Sequence, residues 1–335
     1  MSIDQLAAIA QAMVAPGKGI IAIDESTATI KKRFDSVGID CTEENRRAYR
    51  EMLLTTPKLG QHISGAILYD ETLRQKTKSG VPFTKVMMDN GILPGIKVDM
   101  GAKPLAGFPG EVVTEGLDGL RERLKEYAQL GAKFAKWRAV ITIGEDAPSG
   151  TCIEANCHAL ARYAALCQEA GIVPMVEPEV LMDGEHDIDT CYEITEVTLR
   201  SLFGALYEHN VMLEGTILKA SMVVSGKDAP EQASVEEVAE MTLRCLKSSV
   251  PATLPGIVFL SGGQSDEDAT AHLDAMNRLG PKPWPLSFSY GRAMQSAALK
   301  LWSKDLAGNV GVAQETVFAR ARDNGLAALG QWKKA

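Results

Sequence analysis

Eight short apolar segments recur along the chain, and each is followed by a polar turn and a longer stretch with helical periodicity. Apolar runs that alternate with helices indicate parallel strands joined by crossover helices. Strands are predicted at Gly19–Asp24, Ile63–Tyr69, Ile96–Asp99, Ala132–Arg138, Ile172–Glu177, Glu214–Lys219, Gly256–Leu260 and Leu286–Ser289. Helices predicted between them include Glu43–Thr55, Leu117–Leu130, Ile153–Ala170, Thr195–Glu208, Ser234–Ser248 and Asp266–Arg278.

Eight such strands allow either an open doubly wound sheet or a closed barrel. A dinucleotide-binding sheet carries Gly-x-Gly-x-x-Gly after its first strand, and this sequence has no such motif there. The chain has 335 residues, a length that suits one large barrel, and no low-complexity linker divides it. We therefore predict the α/β class, as a single (β/α)8 TIM barrel over residues 1–335 with a short C-terminal tail from about residue 325.

Composition excludes several classes of function. The net charge of −8 argues against general binding to nucleic acid or to anionic membranes. No apolar run approaches the roughly 20 residues that span a bilayer, and the N-terminus shows no secretory leader, so a cytoplasmic protein with reduced cysteines is expected. Cys152-x4-Cys157-His158 fits no common zinc spacing, and we expect neither a metal nor a cofactor.

Ionisable and hydroxyl residues stand at the C-terminal tips of nearly every predicted strand. In a (β/α)8 barrel these tips converge on the face where active sites are built. Side chains alternate along a strand, so residues two apart share a side. The tip residues are Asp24, Asp99, Lys136 with Arg138, Glu177 with Glu179, Lys219, Ser261 and Ser289. Predicted to line the barrel together are Ile20, Ala22 and Asp24; Phe134, Lys136 and Arg138; and Gly215, Ile217 and Lys219.

Lys219 ends the apolar run Val211-Met-Leu-Glu-Gly-Thr-Ile-Leu-Lys219. A lysine at a strand end is usually a solvated cap, but Lys136 is predicted at the same barrel mouth. A buried amine beside a second cation releases its proton more readily, and the neutral amine attacks carbonyl groups. The resulting iminium accepts electrons when an adjacent carbon–carbon bond breaks, so this chemistry requires no metal.

Carboxylates are available for the proton transfers that such chemistry needs. Asp24, Glu177 and Glu179 are predicted at the mouth, and the two glutamates share one side of their strand. Each is a candidate general acid or base. Each is also a candidate ion-pair partner for Lys136, Lys219 or Arg138, and the sequence leaves both roles open.

Two groups of residues are suited to binding anions. Glycine loops after strands seven and eight are the usual phosphate site of such barrels, and an arginine adds a bidentate contact. The first group comprises Ser261, Gly262, Gly263, Ser289, Tyr290, Gly291 and Arg292. The second comprises Ser26, Thr29, Arg33, Lys97 and Arg138, where Ser26 is equally suited to cap a helix. Two anion sites that flank an amine nucleophile indicate a substrate phosphorylated at both ends.

Several motifs together resemble class I fructose-1,6-bisphosphate aldolase. The resemblance is colinear from about residue 10 to about residue 332. It is carried by Asp24-Glu-Ser-Thr27, Thr42-Glu-Glu-Asn-Arg-Arg47, Gly95-Ile-Lys-Val-Asp99, Phe134-Ala-Lys-Trp-Arg138, Val173-Pro-Met-Val-Glu-Pro-Glu179, Leu213-Glu-Gly-Thr-Ile-Leu-Lys219, Phe259-Leu-Ser-Gly-Gly-Gln-Ser265 and Phe288-Ser-Tyr-Gly-Arg292. It implies reversible cleavage of fructose 1,6-bisphosphate into dihydroxyacetone phosphate and glyceraldehyde 3-phosphate, by a homotetramer.

The resemblance also implies roles for individual residues. Lys219 becomes the Schiff-base lysine and Glu177 the main general acid/base. Asp24 orients the substrate and helps deprotonate the C4 hydroxyl, and Lys136 assists carbinolamine chemistry. The C1 phosphate is assigned to Ser261, Gly262, Gly291 and Arg292, and the C6 phosphate to Ser26, Thr29 and Lys97. Thr29 stands where the family commonly has serine, which keeps the hydroxyl.

One departure from the family concerns the C-terminus. The family typically continues into a mobile tail whose final tyrosine assists proton transfer to the enamine, whereas this sequence ends at Gln331-Trp-Lys-Lys-Ala335. We therefore expect enamine protonation to limit turnover.

Two alternatives remain open from the sequence. One is a Schiff-base aldolase for another ketose phosphate, such as sedoheptulose or tagatose bisphosphate. The other is a non-catalytic scaffold whose basic cleft binds acidic partner segments, although Lys219, Glu177 and Asp24 are all present.

Overall fold

A computed structural model describes residues 3–334, and Met1, Ser2 and Ala335, the ends of the predicted domain, lie outside the described residues. Its strands are β1 (Gly19–Ile23), β2 (Ile63–Leu68), β3 (Leu93–Lys97), β4 (Ala102–Pro104), β5 (Val112–Thr114), β6 (Phe134–Ile141), β7 (Val173–Val180), β8 (Ile217–Ala220), β9 (Ile257–Phe259) and β10 (Leu286–Tyr290). Eight parallel strands close in the order β1-β2-β3-β6-β7-β8-β9-β10, which confirms the predicted barrel. The remaining pair, β4 and β5, forms a small antiparallel hairpin that was not predicted.

Helices surround the barrel in the expected alternation. They are α1 (Ile3–Met13), α2 (Thr27–Asp35), α3 (Glu43–Leu54), α4 (Asp70–Arg74), α5 (Phe83–Asp89), α6 (Leu120–Gln129), α7 (Gly150–Glu169), α8 (Ile188–Glu208), α9 (Val235–Ser249), α10 (Asp266–Arg278), α11 (Arg292–Trp302) and α12 (Val310–Ala327). Capping explains why one helix begins earlier than predicted. The helix predicted from Thr195 begins at Ile188 as α8, because the Asp187 carboxylate accepts the Thr190 backbone N–H at 2.8 Å and caps the helix there. The predicted tail from about residue 325 overlaps the end of α12. Among residues 3–334, no helix is long and apolar enough to cross a membrane.

One residue predicted to line the barrel does not do so. Gly215 lies in a 3-10 turn at Leu213–Gly215, and β8 begins two residues later at Ile217. A Cβ atom at Gly215 would lie 2.7 Å from the terminal methyl carbon of Met212 and 3.0 Å from Leu6 Cβ. The apolar run therefore packs below the barrel before it enters the sheet, and only its last residues form the strand.

Apolar side chains fill the lower part of the barrel. The ring of Phe134 lies against two glycines on neighbouring strands: a Cβ atom at Gly95 would lie 2.2 Å from Phe134 Cζ, and one at Gly65 would lie 3.0 Å from Phe134 Cε1. Helix α1 contributes Leu6 and Met13 to the same buried cluster, so it covers this end of the barrel. The charged residues are thereby confined to the opposite end.

Strand register brings the charged tips together. Lys97 of β3 pairs with Lys136 of β6, and Arg138 of β6 pairs with Glu177 of β7. Residues two apart on each strand point to the same side, as predicted from alternation. The barrel mouth therefore carries its charges on rigid strands.

Candidate active site

A cleft of about 340 Å³ opens at the carboxyl ends of the barrel strands, a size typical of small-molecule sites. It brings together every predicted site residue except Gly263 and Tyr290. Those that line it are Asp24, Ser26, Thr29, Arg33, Lys97, Lys136, Arg138, Glu177, Glu179, Lys219, Ser261, Gly262, Ser289, Gly291 and Arg292. Residues that line it without having been assigned include Glu25, Asp99 and Gly101.

Two lysines and two carboxylates form a connected network at the base of the cleft. Lys219 Nζ lies 2.9 Å from Glu177 Oε1, and Lys136 Nζ lies 3.2 Å from Glu177 Oε2 and 2.7 Å from Asp24 Oδ2. The side chains of Lys136, Glu177 and Lys219 are at most 5% exposed. Lys136 is therefore not an isolated second cation beside Lys219, because two carboxylates offset its charge.

The network fixes the protonation state of three of its members. Burial alone would raise the pKa of Asp24, but the charges of Lys136 and Lys219 hold it well below its ordinary value. Burial would likewise raise the pKa of Glu177, and the same lysines with Arg138 hold it lower. Burial would lower the pKa of Lys136, and Asp24 and Glu177 raise it instead. Both carboxylates are thus ionised and Lys136 is protonated near neutral pH.

A second layer of ion pairs surrounds this network. Lys97 Nζ lies 2.7 Å from Asp99 Oδ1, and Arg138 pairs with Glu179. Asp99 also accepts the backbone N–H of Arg138 at 3.2 Å and that of Gly101 at 3.1 Å. Glu179 thus pairs with Arg138, whereas Glu177 pairs with Lys136 and Lys219. The two glutamates therefore have different charged neighbours.

The loops after β9 and β10 carry the first group of residues that were predicted to bind an anion. Gly262 and Gly263 have φ angles of +44° and +99°, a backbone conformation that favours glycine. The buried Ser289 hydroxyl has no hydrogen-bond partner within residues 3–334, and it lines the cleft beside Gly291. Gly263 lies at the edge of the group, where a Cβ atom would be 3.9 Å from Arg292 Nη2.

Tyr290, which was predicted to belong to this group, is not among the residues that line the cleft. Ser289 points into the barrel, so the next side chain along β10 points outward. The Tyr290 hydroxyl donates to the Ala269 carbonyl oxygen at 2.6 Å, and its ring is fully buried between the barrel and α10.

The second anion-binding group lies at the start of α2. The Ser26 hydroxyl caps this helix by accepting the Thr29 N–H at 3.4 Å, and the two hydroxyls lie 3.1 Å apart. Ser26 is therefore a helix cap that also lines the cleft. Arg33 lies nearer the first group than its sequence position indicated: its Nη2 would be 3.9 Å from a Cβ atom at Gly291, since β1 is next to β10.

A buried polar cluster behind Arg33 was missed by sequence reasoning. The Glu25 carboxylate pairs with Arg33 and, at 2.7 Å, with Arg50, whose side chain is 3% exposed. The Gln295 amide donates to Glu25 Oε1 at 3.0 Å and to the Ala22 carbonyl oxygen at 2.6 Å. Within the sequence, the only local indication of this cluster was Glu25 beside Asp24. Its partners Arg50 and Gln295 lie far away in the sequence, on α3 and α11.

The cysteines support the expectation of structural thiols. All six are free, and Cys152 and Cys157 are buried on α7. Cys152 donates to the Val112 carbonyl oxygen at 3.5 Å, and Cys157 donates to that of Thr198 at 3.6 Å. These two side chains therefore take part in helix packing.

Comparison with known proteins agrees with this geometry. A family model described as fructose-bisphosphate aldolase class-I matches residues 5–335. A probable fructose-bisphosphate aldolase class 1 from Xanthomonas campestris pv. campestris is 78% identical over 333 residues, with 99% of this chain and 100% of that protein covered. Fructose-bisphosphate aldolase 1 of Toxoplasma gondii is 54% identical over 330 residues, with 98% of this chain and 91% of that protein covered.

A solved structure is also closely similar. The fructose-bisphosphate aldolase of Plasmodium falciparum, crystallised with TRAP and a small-molecule inhibitor, superposes with a TM-score of 0.98 and 47% sequence identity. The match covers 99% of this chain and 96% of that one. With the closed barrel and its lysine–carboxylate cleft, these matches show that the chain belongs to the class I fructose-bisphosphate aldolase family.

Proposed function

We propose that the chain catalyses reversible cleavage of fructose 1,6-bisphosphate into dihydroxyacetone phosphate and glyceraldehyde 3-phosphate through a Schiff base on Lys219. The observation that carries this proposal is the 2.9 Å contact between the Lys219 amine and the buried Glu177 carboxylate. A nucleophilic amine must lose a proton, and this contact supplies the acceptor. The substrate class rests on relatives that are named fructose-bisphosphate aldolases.

Schiff-base formation begins when the Lys219 ammonium gives a proton to Glu177. The neutral amine then attacks the C2 carbonyl carbon of the ketose, and the Lys136 ammonium stabilises the oxygen that becomes negative. A proton moves from the nitrogen to that oxygen, which gives a neutral carbinolamine. Glu177 returns its proton to the hydroxyl, water leaves, and the iminium joins Lys219 Nζ to C2. The ionised Glu177 then faces the positive iminium.

Carbon–carbon cleavage follows from the iminium. The Asp24 carboxylate removes the proton of the C4 hydroxyl, the C3–C4 bond breaks, and its electrons form the C2–C3 double bond of an enamine. C4 becomes the aldehyde carbon of glyceraldehyde 3-phosphate. Water protonates C3, which gives back the iminium, and Asp24 returns its proton to the hydroxide that remains. Hydrolysis of the iminium then releases dihydroxyacetone phosphate and regenerates Lys219. The charges of the two lysines keep Asp24 ionised, so its carboxylate is available to accept this proton.

The two anion-binding groups would hold the substrate across the network. Ser261, Gly262, Gly291 and Arg292 are assigned to the C1 phosphate, with the Ser289 hydroxyl and Gly263 beside them. Ser26, Thr29 and Lys97 are assigned to the C6 phosphate. Arg33 and Arg138 add positive charge at the rim, where each is already paired with a glutamate.

Reductive trapping tests the Schiff base directly. Borohydride reduces an iminium to a stable secondary amine, so its addition with dihydroxyacetone phosphate is expected to inactivate the enzyme. Mass spectrometry should find the added triose on the peptide that contains Lys219. Lys97 and Lys136 serve as internal controls, because both line the same cleft. Label on either of them in place of Lys219 would contradict the assignment.

Replacement of Arg292 by alanine is expected to cost a few kcal/mol of transition-state binding. This loss lowers kcat/KM for fructose 1,6-bisphosphate. Charge-assisted hydrogen bonds contribute about 1.5–3 kcal/mol each, and Arg292 makes no ion pair in the part of the chain that the structure describes. Kinetics with phosphorylated and unphosphorylated ketoses measure the effect. Equal losses for both substrates would mean that Arg292 has a structural role only.

The assembly and location of the enzyme are also proposals. We propose a single domain over residues 1–335 that assembles as a cytoplasmic homotetramer. The assembly rests on family resemblance, and the location is supported by a 54% identical relative in Arabidopsis thaliana that is named cytosolic.

A further inference from the structure

We propose that His272 is a positioning residue that holds the C1-phosphate loop through Gln264. The loop comprises residues 261–265, between β9 and α10. This inference rests on the proposed function, because it assigns a phosphate of the substrate to the loop. It adds a residue that is not among those that line the cleft.

The loop has little conformational preference of its own. Two consecutive glycines, Gly262 and Gly263, both have positive φ angles, and glycine loses more backbone entropy on ordering than any other residue. A backbone that presents N–H groups to an anion must nevertheless be fixed before the anion arrives, since otherwise binding would bear the cost of ordering it. Contacts outside the two glycines must therefore supply the constraint.

Both ends of the glycine pair are anchored to neighbouring backbone. The Gln264 N–H donates to the Ser261 carbonyl oxygen at 2.8 Å. The Ser265 hydroxyl caps α10 by accepting the Asp268 N–H at 3.0 Å. These contacts close a turn and start a helix, but neither joins the loop to a side chain of the protein interior.

His272 makes that connection. Its Nδ1 donates to Gln264 Oε1 at 2.7 Å, and the residue is only 8% exposed. It lies on α10, the helix that the loop itself begins, so the loop is folded back onto its own helix. A buried hydrogen bond of this length between two side chains defines where Gln264, and with it the neighbouring Gly263, can lie.

The imidazole is suited to a permanent bond. Burial lowers the pKa of His272, opposed by the negative charges of Asp268 on the same helix and Glu236 on α9. The ring is therefore neutral near pH 7, with its proton on Nδ1 because Gln264 presents an oxygen. Protonation at lower pH would keep the same donor, so the contact persists across the working range.

The position of the loop links this bond to substrate binding. A Cβ atom at Gly262 would lie 3.8 Å from Glu179 Oε1, and one at Gly263 would lie 3.9 Å from Arg292 Nη2. The loop thus lies between a buried carboxylate and the arginine of the phosphate site. A loop that shifted toward Glu179 would present less favourable charge to an anion.

The test measures the concentration dependence of borohydride trapping with two ligands, dihydroxyacetone phosphate and dihydroxyacetone, which differ only by the phosphate. In His272→Leu and in Gln264→Leu, the concentration of dihydroxyacetone phosphate for half-maximal trapping is expected to rise roughly two- to twelvefold, the range for one buried hydrogen bond. The value for dihydroxyacetone should stay unchanged. His272→Gln, which restores an N–H donor, should recover part of the loss.

A double-mutant cycle and a matched control separate positioning from general stability. The double variant should lose no more than the worse single variant, because both remove the same bond. Thr270 lies on α10, as His272 does, and its hydroxyl donates to Asn324 Oδ1 of α12 at 2.8 Å. Thr270→Val removes this buried bond, and it should lower thermal stability without changing the preference for the phosphorylated ligand.

Two results would overturn the proposal. One is that both single variants keep the wild-type preference for dihydroxyacetone phosphate over dihydroxyacetone. The other is that the fold-loss of this preference in the double variant equals the product of the fold-losses in the two single variants. Failure of the proposed function is distinct, because the wild-type enzyme would then show no trapping on Lys219 at all.

Discussion

Replacement of Lys219 by methionine is expected to lower kcat for fructose 1,6-bisphosphate cleavage by roughly 10⁴-fold or more, the order of effect seen when the nucleophile of a covalent mechanism is removed. Methionine is unbranched and fills the same space without an amine. The fold should persist, because Glu177 remains paired with Lys136 at 3.2 Å. A coupled cleavage assay and a thermal unfolding curve measure the two effects.

Lys97→Met is the matched control for this variant. Lys97 lines the same cleft, but it pairs with Asp99 in place of Glu177. Its replacement should weaken substrate binding and leave borohydride trapping intact, whereas Lys219→Met should abolish trapping. Substantial cleavage by the Lys219 variant would show that the reaction does not require this amine.

Replacement of Glu177 by glutamine is expected to reduce kcat by ~10²–10⁴-fold, the usual contribution of a positioned general acid or base. The amide keeps the shape of the side chain but can neither accept the proton of Lys219 nor return it to the carbinolamine hydroxyl. The defect should therefore lie in iminium formation, both in deprotonation of the Lys219 ammonium and in loss of water from the carbinolamine. Rapid-quench kinetics with borohydride, which traps the iminium, would show its slower appearance.

Glu179→Gln separates this role from a general loss of charge. Glu179 lies on the same side of β7, two residues further on, and contacts Arg138 in place of either lysine. We therefore expect Glu179→Gln to lower kcat less than Glu177→Gln does. A reversed order would assign the proton transfer to Glu179.

Alternation along strands explains how much of the site could be predicted from sequence. Lys136 and Arg138 were placed on one side of β6 because side chains two apart share a side, and both line the cleft. The same rule would have excluded Tyr290, which follows the inward-facing Ser289. Closure of the barrel was predicted because no Gly-x-Gly-x-x-Gly motif follows the first strand and because the chain length suits one large barrel.

Contacts between distant segments account for what the sequence did not predict. Glu25 meets Arg50 and Gln295 through helix packing that no local pattern encodes. The sequence left open whether the carboxylates at the mouth pair with Lys136, and two of them, Asp24 and Glu177, do so. The turn at Gly215 was missed because an apolar run has the same appearance in a strand as in a buried turn.

The glycine-backed ring of Phe134 has a consequence for attempts to redesign this enzyme. Gly95 lies two residues before Lys97, and Phe134 lies two residues before Lys136, on paired strands. Any side chain at Gly95 would displace the ring. We expect the displacement to pass along β6 to Lys136, whose ammonium group is proposed to stabilise the carbinolamine oxygen. Attempts to admit other sugars should therefore substitute residues at the exposed rim of the cleft and leave Gly95 and Phe134 unchanged.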